Sequence, residues 1–312
     1  MNRREFLETV AAAAALPSFA RQTASQSEWG SPVFDLHFHM RPQPAANLAH
    51  LDGAGVTKAN LLTRGAAFDQ VKAIDAAAPG RFTWFNSYDV TKPDAEQVLT
   101  QAVKAGAQGF GEMKFHVAAD GPELRRMYAL AADLRVPILI HFQEVDQFKD
   151  EGAWSTGYAK TFESILKANP KTTFIGHADA FWANVSADYH NQAAYPSGPI
   201  ARGGVTDRWL SNYPNLFGDL SANSGNNALS RDRTFTPDFL KRHQDKLFFG
   251  SDCSCNDGHG AGTSQANNPA AARLAGKCVA RETLTVVKRS TSDEVFRKIV
   301  WGNVHKLLQI PA

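Results

Sequence analysis

The sequence predicts an α/β fold, a (β/α)8 TIM barrel with a metal site at the C-terminal face. Three observations predict it. Short apolar runs bounded by turn residues alternate with longer segments of helical period, the pattern of βα units and a parallel sheet. The apolar runs number eight. Imidazoles and carboxylates recur at the C-terminal ends of those runs, which is where barrels of this class carry their chemistry.

The first twenty residues, "MNRREFLETVAAAAALPSFA", stand outside that rhythm. Arg3 and Arg4 precede Phe6 and Leu7, a short apolar run covers 10–16, and Ser18 and Ala20 are small enough for cleavage after Ala20. The segment reads as a twin-arginine signal peptide. Its run is too short to span a bilayer. Export machinery is therefore an expected partner, and a folded chain in the periplasm or outside the cell the expected product. Residues 21–312 are then a single barrel domain, since such a barrel needs roughly 250 residues.

The strands read, in order, as "VFDLHFH" (33–39), "KANLLT" (58–63), "FTWFNS" (82–87), "GFGEMKF" (109–115), "PILIHF" (137–142), "TTFIGH" (172–177), "LFGDLS" (216–221) and "KLFFGSD" (246–252). Helices such as "DAEQVLTQAVKAG" and "GPELRRMYALAADLR" lie between them, ending near a Gly or before a Pro. In the first strand, Asp35, His37 and His39 fall at alternate positions and so on one face. Two polar rings buried side by side cost free energy unless partnered, and imidazole is the commonest ligand of zinc and its neighbours. Further along, Glu112 and Lys114 fall in the fourth strand, His141 near the end of the fifth, His177 at the end of the sixth and Asp252 at the end of the eighth. Singly, each has a structural explanation as cap, turn or paired charge. Their recurrence at one rim does not. The long stretch 177–204, rich in Gly, Pro, Asn and aromatics, is expected to cover that rim.

Composition narrows the partners. A formal net charge of +2 argues against a nucleic-acid or membrane-surface protein, and no later stretch is apolar enough to insert stably in a membrane. A small molecule is the expected ligand; the oligomeric state is not legible.

The set "DLHFH", "GEMKF", "LIH", "FIGHAD", "FFGSD" and "WGNVHKLLQI" resembles the amidohydrolase superfamily, closest to its amidohydrolase-related branch of metal-dependent hydrolases and decarboxylases. The resemblance implies that His37, His39 and His141 with Asp252 hold a divalent ion, usually zinc, with one ion favoured over two. It makes Asp252 and His177 catalytic, the first as ligand and proton carrier, the second polarising the substrate carbonyl or orienting the attacking hydroxide. With two ions, His141 and His177 would hold the second, and Glu112 would bridge the pair. Asp35 would support an imidazole from one step deeper on the strand. The implied function is hydrolysis of an amide, ester or lactone by metal-activated water. Non-oxidative decarboxylation on the same barrel is the alternative, and a secreted binding module without catalysis a third reading.

Arg64, Lys114 and Trp182 are the expected substrate contacts, with Asn86 and Trp154 as further pocket groups. Arg64 suits a carboxylate, held bidentately. "GSDCSCNDGHG" departs from the family's strand-eight loop by placing Cys253 and Cys255 beside Asp252, with Cys278 the third cysteine of the chain. A disulfide between Cys278 and one of the other two, or soft-metal binding by the pair, fits this spacing.

Overall fold

The structure is a computed structural model, and it describes residues 27–65, 67–144, 154–191, 193–263 and 269–310. The expected signal peptide lies outside the described residues. Eight parallel strands follow one another round the sheet in chain order: β1 (Phe34–His39), β2 (Lys58–Arg64), β3 (Phe82–Ser87), β4 (Phe110–Met113), β5 (Ile138–His141), β6 (Phe174–His177), β7 (Leu216–Asp219) and β8 (Leu247–Phe248). The ring closes between its ends: Leu36 N–H donates to the Phe249 carbonyl (3.0 Å) and Asp252 N–H to the His37 carbonyl (2.8 Å). This is a (β/α)8 barrel.

Helices cover the outside. In α4 (Pro122–Leu134), a proline opens the first turn, and Leu124, Met127, Tyr128 and Ala131 bury one stripe. In α5 (Tyr158–Ala168), Tyr158, Phe162, Ile165 and Leu166 do the same. These stripes pack on outward strand residues such as Leu61, Trp84, Ile140 and Phe174 in one core. A second, smaller core fills the barrel interior with Phe34, Leu36, Leu62, Phe85, Leu139, Ile175 and Phe248. Val304 and Leu308 of α12 (Asn303–Leu308) join it, and Phe34 packs edge-on against His305, so α12 closes the N-terminal end. The opposite end is left to polar residues.

Several strands are shorter than the sequence predicts, β4 and β8 most of all. β4 stops at Met113, leaving Lys114 beyond it, and β8 spans only Leu247–Phe248. Asp252 therefore lies past its strand, in a turn with φ 46°. The stretch 177–204 is not irregular throughout: it begins as helix α6 (Ala178–Ala183), whose residues are all buried. No helix among the described residues is long and apolar enough to cross a membrane.

Candidate metal centre at the barrel mouth

Two irregular strands aim the site. β1 pairs with β2 at Asp35 and again at Phe38, with a register shift between them; β4 shifts likewise against β5 between Phe110 and Met113. An extra residue in a strand breaks the two-residue alternation and turns the side chains beyond it to new directions. In β4, Phe110 and Met113 both join the outer core although they are three apart, and Glu112 between them enters the mouth. In β1, Leu36 packs in the barrel interior, and yet the next residue, His37, also points inward to meet Asp219.

The bulge corrects one expectation. Asp35 does not share a face with His37. Its Oδ1 accepts the backbone N–H groups of His37 (3.0 Å) and Ser251 (2.8 Å), so it holds the two chain ends that meet there, not an imidazole. Burial pushes its carboxyl up to about 6 against these hydrogen bonds.

At the mouth the donor atoms form two groups that share one carboxylate. His37 Nε2 and His39 Nε2 lie 3.3 Å apart, with Glu112 Oε2 at 4.0 and 3.4 Å from them. Glu112 Oε1 turns the other way, 2.6 Å from His141 Nδ1 and 3.6 Å from His177 Nε2. Asp252 spans both groups: Oδ1 is 3.3 Å from His39 Nε2, and Oδ2 is 3.8 Å from His177 Nε2. Of the two expected groupings, the one-ion set of His141 with His37 and His39 is not present, and the two-ion set is. His141 sits with His177, across Glu112. Most of the cluster is buried, but the side chains of His39 and Asp252 remain 46% and 29% exposed, which gives the site its open side.

Residues that the motifs did not single out hold the ligands in place. Asp219 ends β7 and is fully buried; its Oδ2 accepts from His37 Nδ1–H (2.6 Å) and from the Ser221 hydroxyl (2.8 Å). Because that hydroxyl gives its proton to Asp219, its oxygen accepts from His177 Nδ1–H at 2.7 Å. Both rings thus carry their proton on Nδ1 and leave Nε2 bare toward the mouth, the tautomer that ligation needs. Gln143 lies 3.3 Å from His141 Nε2. The signal for Asp219 was in the sequence: in "LFGDLS" a carboxylate stands at the strand end, where β1, β5 and β6 carry imidazoles. Gly250 lets the chain just past β8 come this close, since a Cβ there would lie 2.2 Å from Asp219 Oδ1 and 2.8 Å from His37 Cβ.

Electrostatics express the same crowding. Burial alone would depress His39, but hydrogen bonds to Asp252 and Glu112 outweigh it and carry the ring up to about 10. Burial likewise opposes the ionisation of Asp252, and His37 and His39 overrule it, bringing its carboxyl down to about 2. Glu112 is held well below the usual range by His141 and His39 despite burial. His177 moves the other way: burial, then the neighbouring His37, keep it neutral. A nest of carboxylates facing bare imidazole nitrogens needs positive charge, from protons or from a cation. The 3.3 Å approach of His37 Nε2 and His39 Nε2 is a hydrogen bond while His39 keeps its second proton, and the two nitrogens become a pair of ligand atoms when a cation takes that proton's place. His37, His39, Glu112 and Asp252 would hold one divalent ion, and Glu112, His141 and His177 a second.

The expected substrate contacts separate. Arg64 shares the inner face of β2 with Leu62 and is exposed at the rim. Lys114 follows β4, half-buried. Trp154 stacks on His116 (4.9 Å) and faces His141 (6.3 Å), beside the mouth. Trp182 does not line a pocket: it is buried in the outer core, and its indole N–H donates to the Asp219 carbonyl at 2.8 Å. Asn86 accepts from the Thr63 hydroxyl on the face of β3 opposite Phe85, away from the interior. From the stretch after α6, Tyr195 comes within electrostatic reach of Asp252.

No family model matches the chain, and comparison with curated proteins gives no match. Solved structures do match. A probable 2-pyrone-4,6-dicarboxylic acid hydrolase from Acinetobacter baumannii aligns over 89% of this chain and 99% of its own, at 13% identity and a TM-score of 0.57. Dihydroorotase from Campylobacter jejuni aligns over 90% and 84%, at 18% identity and a TM-score of 0.53. A putative amidohydrolase from Staphylococcus aureus aligns over 90% and 99%, at 14% identity and a TM-score of 0.51. At such identities the likeness is one of fold, and the chain is a (β/α)8 barrel of the architecture that these proteins share.

Proposed function

We propose that the protein is a metal-dependent hydrolase that opens an ester, lactone or amide bond of a small molecule at the barrel mouth. The observation that carries this reading is the double-facing Glu112, one oxygen toward His37 and His39 and the other toward His141 and His177. The fold likeness to a probable pyrone dicarboxylic acid hydrolase, a dihydroorotase and a putative amidohydrolase supports it. Two zinc ions suit this donor set better than the single ion expected from sequence, because one carboxylate serves two imidazole groups. Divalent ions there would supply Lewis acidity, polarising a carbonyl and bringing the pKa of water down to roughly 7.

The chain's own residues do the rest. Asp252, partly open to solvent between His39 and His177, takes the proton of the attacking water and returns it to the leaving group. Asp219 and Ser221 keep His37 and His177 in one tautomer through the cycle. Arg64 at the rim pairs with a substrate carboxylate, and Trp154 packs against an apolar or ring portion.

The test is a panel of lactones, cyclic amides and aryl esters with and without a carboxylate, offered to chelated and zinc-reloaded protein. Metal-restored hydrolysis is the expected result. Release of carbon dioxide from an aromatic carboxylate, without hydrolysis of any panel member, would replace this reading with decarboxylation. Export of the folded chain belongs to the same proposal, and replacing Arg3 and Arg4 by Lys should leave an uncleaved precursor in the cytoplasm.

A further inference from the structure

We infer that the chain carries a second, closed metal centre in which Cys253, Cys255, Cys278 and His50 hold one thiophilic divalent ion, with zinc the best match to the donors. The four come from three separate segments. His50 belongs to α1 (Pro44–Ala54), Cys253 and Cys255 to the turn after β8, and Cys278 to the residue before α10 (Val279–Ser290). All four are buried. Cys253 Sγ lies 3.3 Å from Cys255 Sγ and 3.8 Å from Cys278 Sγ; Cys255 Sγ lies 3.3 Å from His50 Nδ1, which also meets the Cys255 carbonyl at 3.0 Å, a hydrogen bond that ligation by Nδ1 would replace. The four donor atoms fall within 4.8 Å of one another. With Zn–S bonds near 2.3 Å, a tetrahedral site sets its sulfurs about 3.8 Å apart, the spacing of Cys253 and Cys278, and the 3.3 Å between Cys253 and Cys255 needs to open by only about half an ångström to match it.

A disulfide accounts for these residues less well. All three cysteines are free, and any one bridge would strand the third thiol in a buried pocket. The charge also balances. Three thiolates and a divalent ion sum to −1, and the Arg41 guanidinium donates to the Cys253 (2.8 Å) and Cys255 (2.7 Å) carbonyls beside them. Backbone packing pins the frame: a Cβ on Gly258 would meet Ala54 N at 2.3 Å, so α1 and the cysteine turn touch main chain to main chain. Cys253 directly follows Asp252, and its N–H donates to the Ser251 hydroxyl (3.2 Å). An ion here braces the turn that presents Asp252 to the mouth. Nothing in this inference depends on the hydrolase reading.

Cobalt substitution of the full chain tests it, because sulfur-to-cobalt charge transfer in the near ultraviolet arises only from thiolate ligation and the mouth has no sulfur donors. The wild type should show that absorption together with the visible bands of tetrahedral cobalt. The His37→Ala, His39→Ala double variant should keep both, and Cys278→Ser should lose the charge-transfer intensity along with about one ion per chain. His50→Gln should weaken the ion's hold about tenfold or more; unchanged affinity would remove His50 from the set. If Cys278→Ser does not fold, the wild type still decides: zinc-loaded protein should resist thiol alkylation, and chelation should expose all three cysteines. Alkylation unaffected by zinc, an absent charge-transfer band, or a native mass two daltons light from a disulfide would each overturn the inference. A thiolate band with no metal-restored hydrolysis would instead count against the mouth alone.

Discussion

Two clusters of metal-type donors lie on opposite sides of the β1–β8 seam, and they are built differently. The mouth cluster uses nitrogen and oxygen, keeps His39 and Asp252 partly exposed, and is surrounded by hydrogen-bonding supports in Asp219, Ser221 and Gln143. The thiol cluster uses sulfur, is buried throughout, and is framed by main-chain contact between α1 and the cysteine turn. Catalytic metal sites keep an open position, whereas structural ones are closed. The contrast teaches where change is tolerated: the mouth depends on side-chain orientation, the thiol cluster on chain geometry.

The largest effect expected from breaking this contrast is at Asp252. Asp252→Asn keeps the size and one acceptor oxygen but removes the proton carrier, so turnover should fall by about a hundredfold or more while metal content at both centres persists. Turnover and metal occupancy measured on one sample check this. A near-normal rate at full occupancy would mean that the proton is carried elsewhere.

Next comes the support beneath His37. Asp219→Asn replaces a full carboxylate acceptor by a neutral amide at a 2.6 Å hydrogen bond, and loosens His177 through Ser221. Metal affinity at the mouth should drop about 10- to 100-fold. Thiolate-bound cobalt should be untouched. Competition with a chromophoric chelator reads both in one titration, and equal weakening of the two centres would show that Asp219 acts through the whole fold.

The bulges explain how far the sequence could be read. Strand order, the helices and the rim positions of His37, His39, His141 and His177 followed from periodicity, because those signals are local. The facing of Asp35 did not, since a bulge is fixed by how β1 meets β2 and β8, and strict alternation is all that a strand motif offers. The partition of ligands about Glu112 was one of two arrangements that the resemblance implied, and which of them the fold builds depends on a second bulge, in β4. Trp182 failed for another reason: position after a strand end does not tell inward from outward, and its indole found the Asp219 carbonyl. The cysteine pair was visible, but His50 and Cys278 join it only through the packing of α1 and α10 onto the turn. A Gly250→Ala variant sharpens the point. The added methyl must displace Asp219 or His37, so mouth affinity should fall by an amount similar to Asp219→Asn, with the helical circular dichroism retained.

The smallest expected effect is a proton count that separates the centres by pH. Metal-free His39 is raised to about 10, so at pH 7 it carries a proton that a cation must displace. Affinity at the mouth should therefore climb as pH rises toward 10, with His39 alone contributing close to tenfold per pH unit, and flatten above it. Asp252, brought down to about 2, is ionised across that window and adds no slope. His177, kept neutral by burial, adds none either. Calorimetry of zinc binding to the Cys278→Ser variant, in buffers of different ionisation enthalpy, isolates the mouth and reads the protons released. His39→Gln should lower that release by about one proton at pH 7, the difference expected when one charged ring is removed. An unchanged count would place the displaced proton on His37, raised against burial by the carboxylates Asp252 and Asp219, and would make the carboxylate pair of Glu112 and Asp252 less dependent on His39 than their distances of 3.4 and 3.3 Å imply.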